Sequence, residues 1–166
     1  MTRNKIFQTA IVLLVILFML LPTGAVCRYI SVSQTTGMQH EVVNMYSYFD
    51  AKSFMDSVVE SFRQMGEVTS PKVMELIPFW ISNLAPLMCA ISVLLLFGVT
   101  VLEWSSVSGK TTSIISISLS AVSIICSLIP LFFYGVKFYS LTAMMVSFLL
   151  LSSLVIAIHR LASKFY

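Results

Sequence analysis

Charge is what this chain has least of. Of its 166 residues only 10% are Asp, Glu, Lys or Arg, while 58% are hydrophobic. Soluble domains carry about 25% charged and roughly 45 to 50% apolar residues, so a water-soluble globular domain is excluded. The few basic residues are scattered singly, which excludes a nucleic-acid surface. Cysteine is scarce too: Cys27, Cys89 and Cys126 are isolated, with no C-x-x-C pair and no histidine at metal-ligand spacing. Neither a redox motif nor a metal centre can be assembled from them. Catalytic motifs are missing as well. There is no G-x-S-x-G and no H-E-x-x-H, and Ser108, Gly109 and Lys110 are a fragment of a phosphate loop without its leading glycine. No catalytic, cofactor-binding or metal-ligating residue is therefore expected, and the chain does not read as an enzyme.

What the chain does have is long apolar runs. Four can be read, at about 6 to 27, 81 to 103, 112 to 136 and 139 to 158. Each is long enough to cross a hydrocarbon core of ~30 Å at ~1.5 Å per helical residue. Trp80 and Trp104 frame the second, 24 residues apart, or roughly 36 Å of helix, as aromatic anchors at two headgroup regions do. Cys89 and Cys126 lie nine residues after Trp80 and eight before Tyr134. They come level if the second and third spans form a hairpin, and the simpler expectation is that both are small buried fillers. Glu103 beside Trp104, and His159 beside Arg160, are expected at membrane edges as solvated or snorkelling groups.

Charge placement orients the spans. Arg3, Lys5, Lys110, Arg160 and Lys164 share one side against Glu103 alone, in short flanks. The other side spreads Arg28, Lys52, Arg63, Lys72 and Lys137 among Glu41, Asp50, Asp56, Glu60, Glu67 and Glu75. Both termini are accordingly expected in the cytoplasm. The first run has a second reading, because basic Arg3 and Lys5, an apolar core and the small residues Thr23 and Ala25 also make a secretory leader. Its core from Ile6 to Leu21 is slightly longer than a leader needs, which favours a retained anchor.

The polar part lies between the first two runs. Residues 28 to 44 are β-branched and polar around Gly37, and read as an irregular or short-strand segment. After them, a turn of 100° per residue puts Ala51, Phe54, Met55, Val58, Phe62 and Met65 on one face, with Lys52, Asp56, Glu60, Arg63 and Gln64 opposite. An amphipathic helix over about 50–65 is predicted, capped at Asp50 and stopped at Gly66. Its apolar face has two uses: covering the outer ends of the spans or the bilayer surface, or docking a partner. A further start signal at Ser70 and Pro71 leads towards the second span, and Pro78 and Pro86 are expected to bend it.

The third run carries serine where lipid would favour aliphatic groups. Ser113, Ser116, Ser120, Ser123 and Ser127 are spaced 3, 4, 3 and 4, with Val122, Ile125 and Ile129 opposite. Acyl chains compete equally for apolar side chains, so helices in a bilayer associate through close approach of small residues and weak hydrogen bonds. The seam is thus expected to be a helix-packing surface, and the same spacing is compatible with a polar pathway.

The expected fold is all-α: an integral membrane four-helix bundle with an extracytoplasmic loop between spans 1 and 2 that contains the amphipathic helix. It divides into residues 1–27 (N-terminal tail and span 1), 28–80 (outer loop) and 81–166 (spans 2 to 4 and a short cytoplasmic tail). In layout this is similar to the claudin-like tetraspan proteins, although the first loop has neither their W-G-L-W type motif nor their paired cysteines. The expected role is a non-enzymatic interaction or accessory subunit of a complex in the cell membrane. Its partners would be the lipid bilayer and another membrane protein or a second copy of itself, with Phe54, Met55, Val58, Phe62 and Met65 as the partner surface. The other class is a small transporter or channel component for a neutral solute.

Overall fold

The computed structural model describes residues 2–22, 25–32, 39–50, 56, 59, 73–104, 109–136 and 139–163. Among them are four helices and one hairpin. The order is α1 (Thr2–Met19), β1 (Ala25–Val32), β2 (Gln39–Tyr46), α2 (Val73–Trp104), α3 (Lys110–Tyr134) and α4 (Leu141–Ala162). Three apolar stretches within the last three helices, Leu84–Trp104, Lys110–Phe133 and Leu141–Ala162, are long enough to cross a membrane. Together with the composition they mark a membrane protein.

The first helix is shorter than its apolar run. It ends at Met19 instead of continuing to residue 27, and Leu20 and Leu21 close it with bonds back to Ile16, Leu17 and Phe18. Pro22 explains the stop, since proline cannot donate to the preceding turn and disfavours helical geometry in the residue before it. The chain then turns into β1. Strand β1 pairs antiparallel with β2, from Ala25 opposite Tyr46 to Val32 opposite Gln39. β-Branched residues favour such a pleated pair.

Residues 47–50 return the chain to the end of α1. Met19 O accepts from Tyr48 N at 3.1 Å and from Ser47 Oγ at 2.9 Å, while Phe49 N donates back to Ser47 Oγ at 3.2 Å. One of the carbonyls that a helix C-terminus leaves open is satisfied in this way. The Tyr48 ring is buried in the same apolar cluster as Met19, and burial pushes its phenol well above the usual range. Tyr48→Ala is expected to cost about 3 to 5 kcal/mol, the cost of emptying a buried aromatic site. Thermal unfolding in detergent checks this, and a loss below about 1 kcal/mol would mean that Tyr48 does not seal this end.

The helices meet in a ring. α1 packs on α2 and α4, α2 on α3, and α3 on α4. Each has one buried face whose residues recur every three or four positions. These are Gln8, Val12, Val15 and Met19 on α1, and Cys89, Val93, Leu96, Thr100 and Glu103 on α2. On α3 they are Ser113, Ser116, Ser120, Ser123 and Ser127; on α4, Ala143, Val146, Leu150, Ser153, Ala157 and Arg160. This period keeps one seam turned inward along a whole helix, as in packings that cross near +20°. The outward faces are aliphatic and aromatic, with Leu17, Leu95, Ile125, Phe148 and Val155 among them. Side chains that water would reject are left outside, which is the arrangement lipid permits.

Local chemistry ends each helix. At the start of α3, Thr112 Oγ1 accepts from Gly109 N at 3.3 Å and donates to Gly109 O at 2.9 Å. At its end Gly135 takes φ 79°, open to a residue without Cβ, and its N–H reaches Leu131 O at 3.0 Å. Ser140 caps α4 by accepting from Ala143 N at 3.1 Å. α2 runs through Pro78 and Pro86 as one helix of 32 residues.

Candidate functional site

Polar groups gather at two levels inside the helical ring. At the level of the chain ends, α1, α2 and α4 each contribute a long polar side chain. Arg160 Nη1 donates to Glu103 Oε2 at 2.5 Å and also to Gln8 Oε1. Glu103 is 1% exposed, Arg160 4% and Gln8 0%. This corrects the expectation that Glu103 is a solvated boundary group, and it buries Arg160 beside it. α4 continues to Ala162, one turn past the expected end of the last span, and Arg160 falls on the inward seam after Ser153 and Ala157. His159, one position round the helix, is exposed as expected.

Around this cluster lies a partly exposed collar. Lys5 Nζ donates to Glu103 O at 2.6 Å, and Trp104 Nε1 donates to Thr9 Oγ1 at 2.9 Å. The Arg3 guanidinium sits 5.7 Å from the centre of the Phe7 ring. α1 is therefore tied to the end of α2 by two hydrogen bonds besides the central cluster. Electrostatically the cluster is a neutral pair, and the guanidinium joins α2 and α4 to α1 through a single nitrogen. Arg160 Nη2, Glu103 Oε1 and Gln8 Nε2 have no partner among the described residues.

The second level is hydroxyl-based. Ser127 and Ser147 hydroxyls meet at 2.8 Å across α3 and α4, and Tyr139 Oη meets Ser147 Oγ at 2.5 Å. Cys89 Sγ donates to Ser123 O at 3.4 Å, joining α2 to α3. Cys89 and Cys126 are free thiols in one apolar cluster with Val93 and Leu150. Among the described residues no three His, Cys, Asp or Glu side chains group where a metal ion could be held.

All five serines of the α3 seam are buried, at 1% exposure or less, while Val122 and Ile125 on the opposite face are exposed at 43% and 62%. Ser123 Oγ donates within its own helix to Leu119 O at 2.8 Å, and Ser127 Oγ to Ile124 O at 2.8 Å. The hydroxyls of Ser116 and Ser120 have no hydrogen-bond partner among the described residues, nor does that of Ser153 on α4. The Ser127–Ser147 contact sets antiparallel α3 and α4 in register, so Ser120 comes level with Ser153.

Phe54, Met55, Val58, Phe62 and Met65 lie outside the described residues, as does the predicted amphipathic helix apart from Asp50, Asp56 and Val59. Hydropathy hid Gln8, Glu103, Arg160 and Tyr48. Three of them carry a signal in their spacing, because Gln8 precedes Val12 and Val15, Glu103 follows Leu96 and Thr100, and Arg160 follows Ser153 and Ala157 at steps of three or four.

Comparison of the chain with known protein families, characterised proteins and solved structures finds no match.

Proposed function

We propose that this chain is a four-span bundle in the cell membrane, with both termini cytoplasmic, serving as a non-enzymatic interaction or accessory subunit of a membrane complex. One observation carries the reading. Polar side chains inside the ring are used to tie helices to one another, Arg160 to Glu103 and Gln8 at one level, and Ser147 to Ser127 and Tyr139 at the other. An interior committed in this way makes a rigid scaffold with a lipid-compatible exterior. α1 is the fourth span in this reading, because its Gln8, Val12, Val15 and Met19 complete the interior.

Orientation rests on Arg3, Lys5, Lys110, Arg160 and Lys164 flanking the same ends of the four helices. The hairpin and the loop after it then face outward, and the helix over about 50–65 is the surface for another membrane protein or a second copy. Aspartate at Phe54, Val58 and Phe62 is expected to abolish crosslinking of a partner from position 59 while leaving the protein in the membrane at wild-type level. Unchanged capture by the substituted protein removes the docking helix. Labelling of introduced terminal cysteines by a membrane-impermeant thiol reagent, applied from either side, tests the orientation, and an outside N-terminus reverses it.

A second class has its own observation. The hydroxyls of Ser116, Ser120 and Ser153 are buried without a hydrogen-bond partner among the described residues, as groups lining a polar path through a small transporter or channel component for a neutral solute would be. Their lack of exposed surface weighs against an open path. Size and hydroxyl chemistry at the seam separate the two classes experimentally.

A further inference from the structure

We propose that the side-chain heads of Gln8, Glu103 and Arg160 form a binding site for one ordered water molecule, which bonds to all three and closes the joint among α1, α2 and α4. The inference deepens the scaffold reading, because it rests on taking this cluster as a joint between helices.

Three planar groups meet at this level, and each engages only one of its two heads. Arg160 Nη1 donates to Glu103 Oε2 and to Gln8 Oε1. The second heads, Arg160 Nη2, Glu103 Oε1 and Gln8 Nε2, have no hydrogen-bond partner among the described residues. Each is joined through one carbon to a head that is already bonded, so all three lie close to Arg160 Nη1. The residues that carry them are 4%, 1% and 0% exposed, and bulk solvent does not reach them.

Rotation cannot satisfy these heads. A serine hydroxyl without a neighbour can swing back to the carbonyl four residues earlier, as Ser123 does to Leu119 O at 2.8 Å. Ser116, Ser120 and Ser153 have that recourse and need no guest. A guanidinium, a carboxylate and a carboxamide hold their heads at fixed angles, so engaging one leaves the other to be matched. Leaving such a head unmatched in an apolar interior is costly.

The chemistry of the heads selects the occupant. Nη2 and Nε2 only donate, and Oε1 only accepts. The ligand must therefore accept twice and donate at least once. A chloride ion cannot donate to Oε1, and a metal or ammonium ion cannot accept from the two nitrogens. Either would also enter as an uncompensated charge, since Arg160 and Glu103 already neutralise each other. Water has two lone pairs and two hydrogens, and a buried water typically makes about three hydrogen bonds to groups otherwise unsatisfied. Here its partners come from three helices, so it acts as a bridge. Lys5 Nζ on Glu103 O and Trp104 Nε1 on Thr9 Oγ1 hold α1 against the end of α2 beside it.

The test uses the whole chain, crystallised from a lipidic mesophase at a resolution that shows ordered water. Density for a water within hydrogen-bond distance of Arg160 Nη2, Glu103 Oε1 and Gln8 Nε2 is expected. A guanidinium and carboxylate closed into a two-bond pair, a protein side chain seated against those atoms, or no density there overturns the inference. A second measurement reads the same site in bilayers. With nitrogen-15 in the arginine side chains, magnetisation from water protons should pass directly to the Arg160 nitrogens, and their silence overturns the inference too. The Glu103→Leu, Arg160→Leu double variant identifies those signals by their loss. Gln8→Met keeps the length of the side chain, removes the carboxamide and is expected to lose the transfer; transfer of wild-type strength would overturn the three-point site. Both wild-type measurements stand whether or not that variant folds. Osmotic water permeability of proteoliposomes separates the site from the scaffold reading. Permeability above that of protein-free vesicles, with the ordered water in place, keeps the site and counts against the closed joint alone. Unchanged permeability with no ordered water overturns the site and leaves the scaffold reading standing.

Discussion

Replacing Arg160 with leucine is expected to destabilise the folded chain by about 3 to 5 kcal/mol, the cost of leaving one member of a buried ion pair alone. Arg160 and Glu103 are 4% and 1% exposed and meet at 2.5 Å. With the guanidinium gone, the Glu103 carboxylate loses the one hydrogen-bond partner it has among the described residues. It must then stay charged in an apolar site or take up a proton, and either raises the free energy of the fold. Glu103→Leu leaves the mirror-image problem in Arg160. The double replacement leaves neither charge, and hydrophobic residues of similar volume in place of such a pair are often neutral or stabilising. The expected pattern is two damaging single variants and a double variant near wild type. A double-mutant cycle on unfolding in mixed micelles reads the coupling directly. Arg160→Leu within about 0.5 kcal/mol of wild type, the range of ordinary surface changes, would show that the pair carries no weight.

That pair also shows where reading the sequence stops. Hydropathy finds apolar length, and it finds the last three helices well. It places Arg160 outside the last span because His159 and Arg160 break the apolar run. Burial, however, follows helical phase, and Ala157 to Arg160 keeps the step that turns Leu150 and Ser153 inward. The side chain is long enough to reach Glu103 once the phase has aimed it. On the first helix the error runs the other way. Apolar character persists towards residue 27, while Pro22 and the pairing of Ala25 with Tyr46 end the helix at Met19. The hairpin was legible only as an irregular or short-strand segment, because its register joins residues up to 21 positions apart (25 to 46) and pairing at that range leaves no local pattern. Serine phase on α3 was legible because the contrast in size between Ser and Ile repeats through the whole span.

The serine seam makes the second large prediction, and it separates size from hydroxyl chemistry. Ser116→Leu, Ser120→Leu and Ser123→Leu each insert a branched side chain where the interior is closed. Overpacking of this kind costs about 1 to 3 kcal/mol per site. α3 packs on both α2 and α4, so the triple variant should lose helix assembly in the membrane. Alanine at the same positions keeps the small volume and deletes the hydroxyl. Ser123 Oγ bonds within its own helix, and Ser116 and Ser120 have no hydrogen-bond partner among the described residues, so the alanine triple should stay within about 1 to 2 kcal/mol of wild type. Ser127→Ala is the contrast, because its hydroxyl bridges to Ser147 at 2.8 Å and its loss should cost about 0.5 to 1.5 kcal/mol. Ile125→Val on the outward face should change almost nothing, since lipid fits either side chain. Retained solute flux in the alanine triple, or the absence of any flux phenotype in either triple, leaves the seam as a packing surface. An alanine triple that assembles normally but blocks passage of a neutral solute would make the hydroxyls the working groups, and the interior would then be a path rather than a joint.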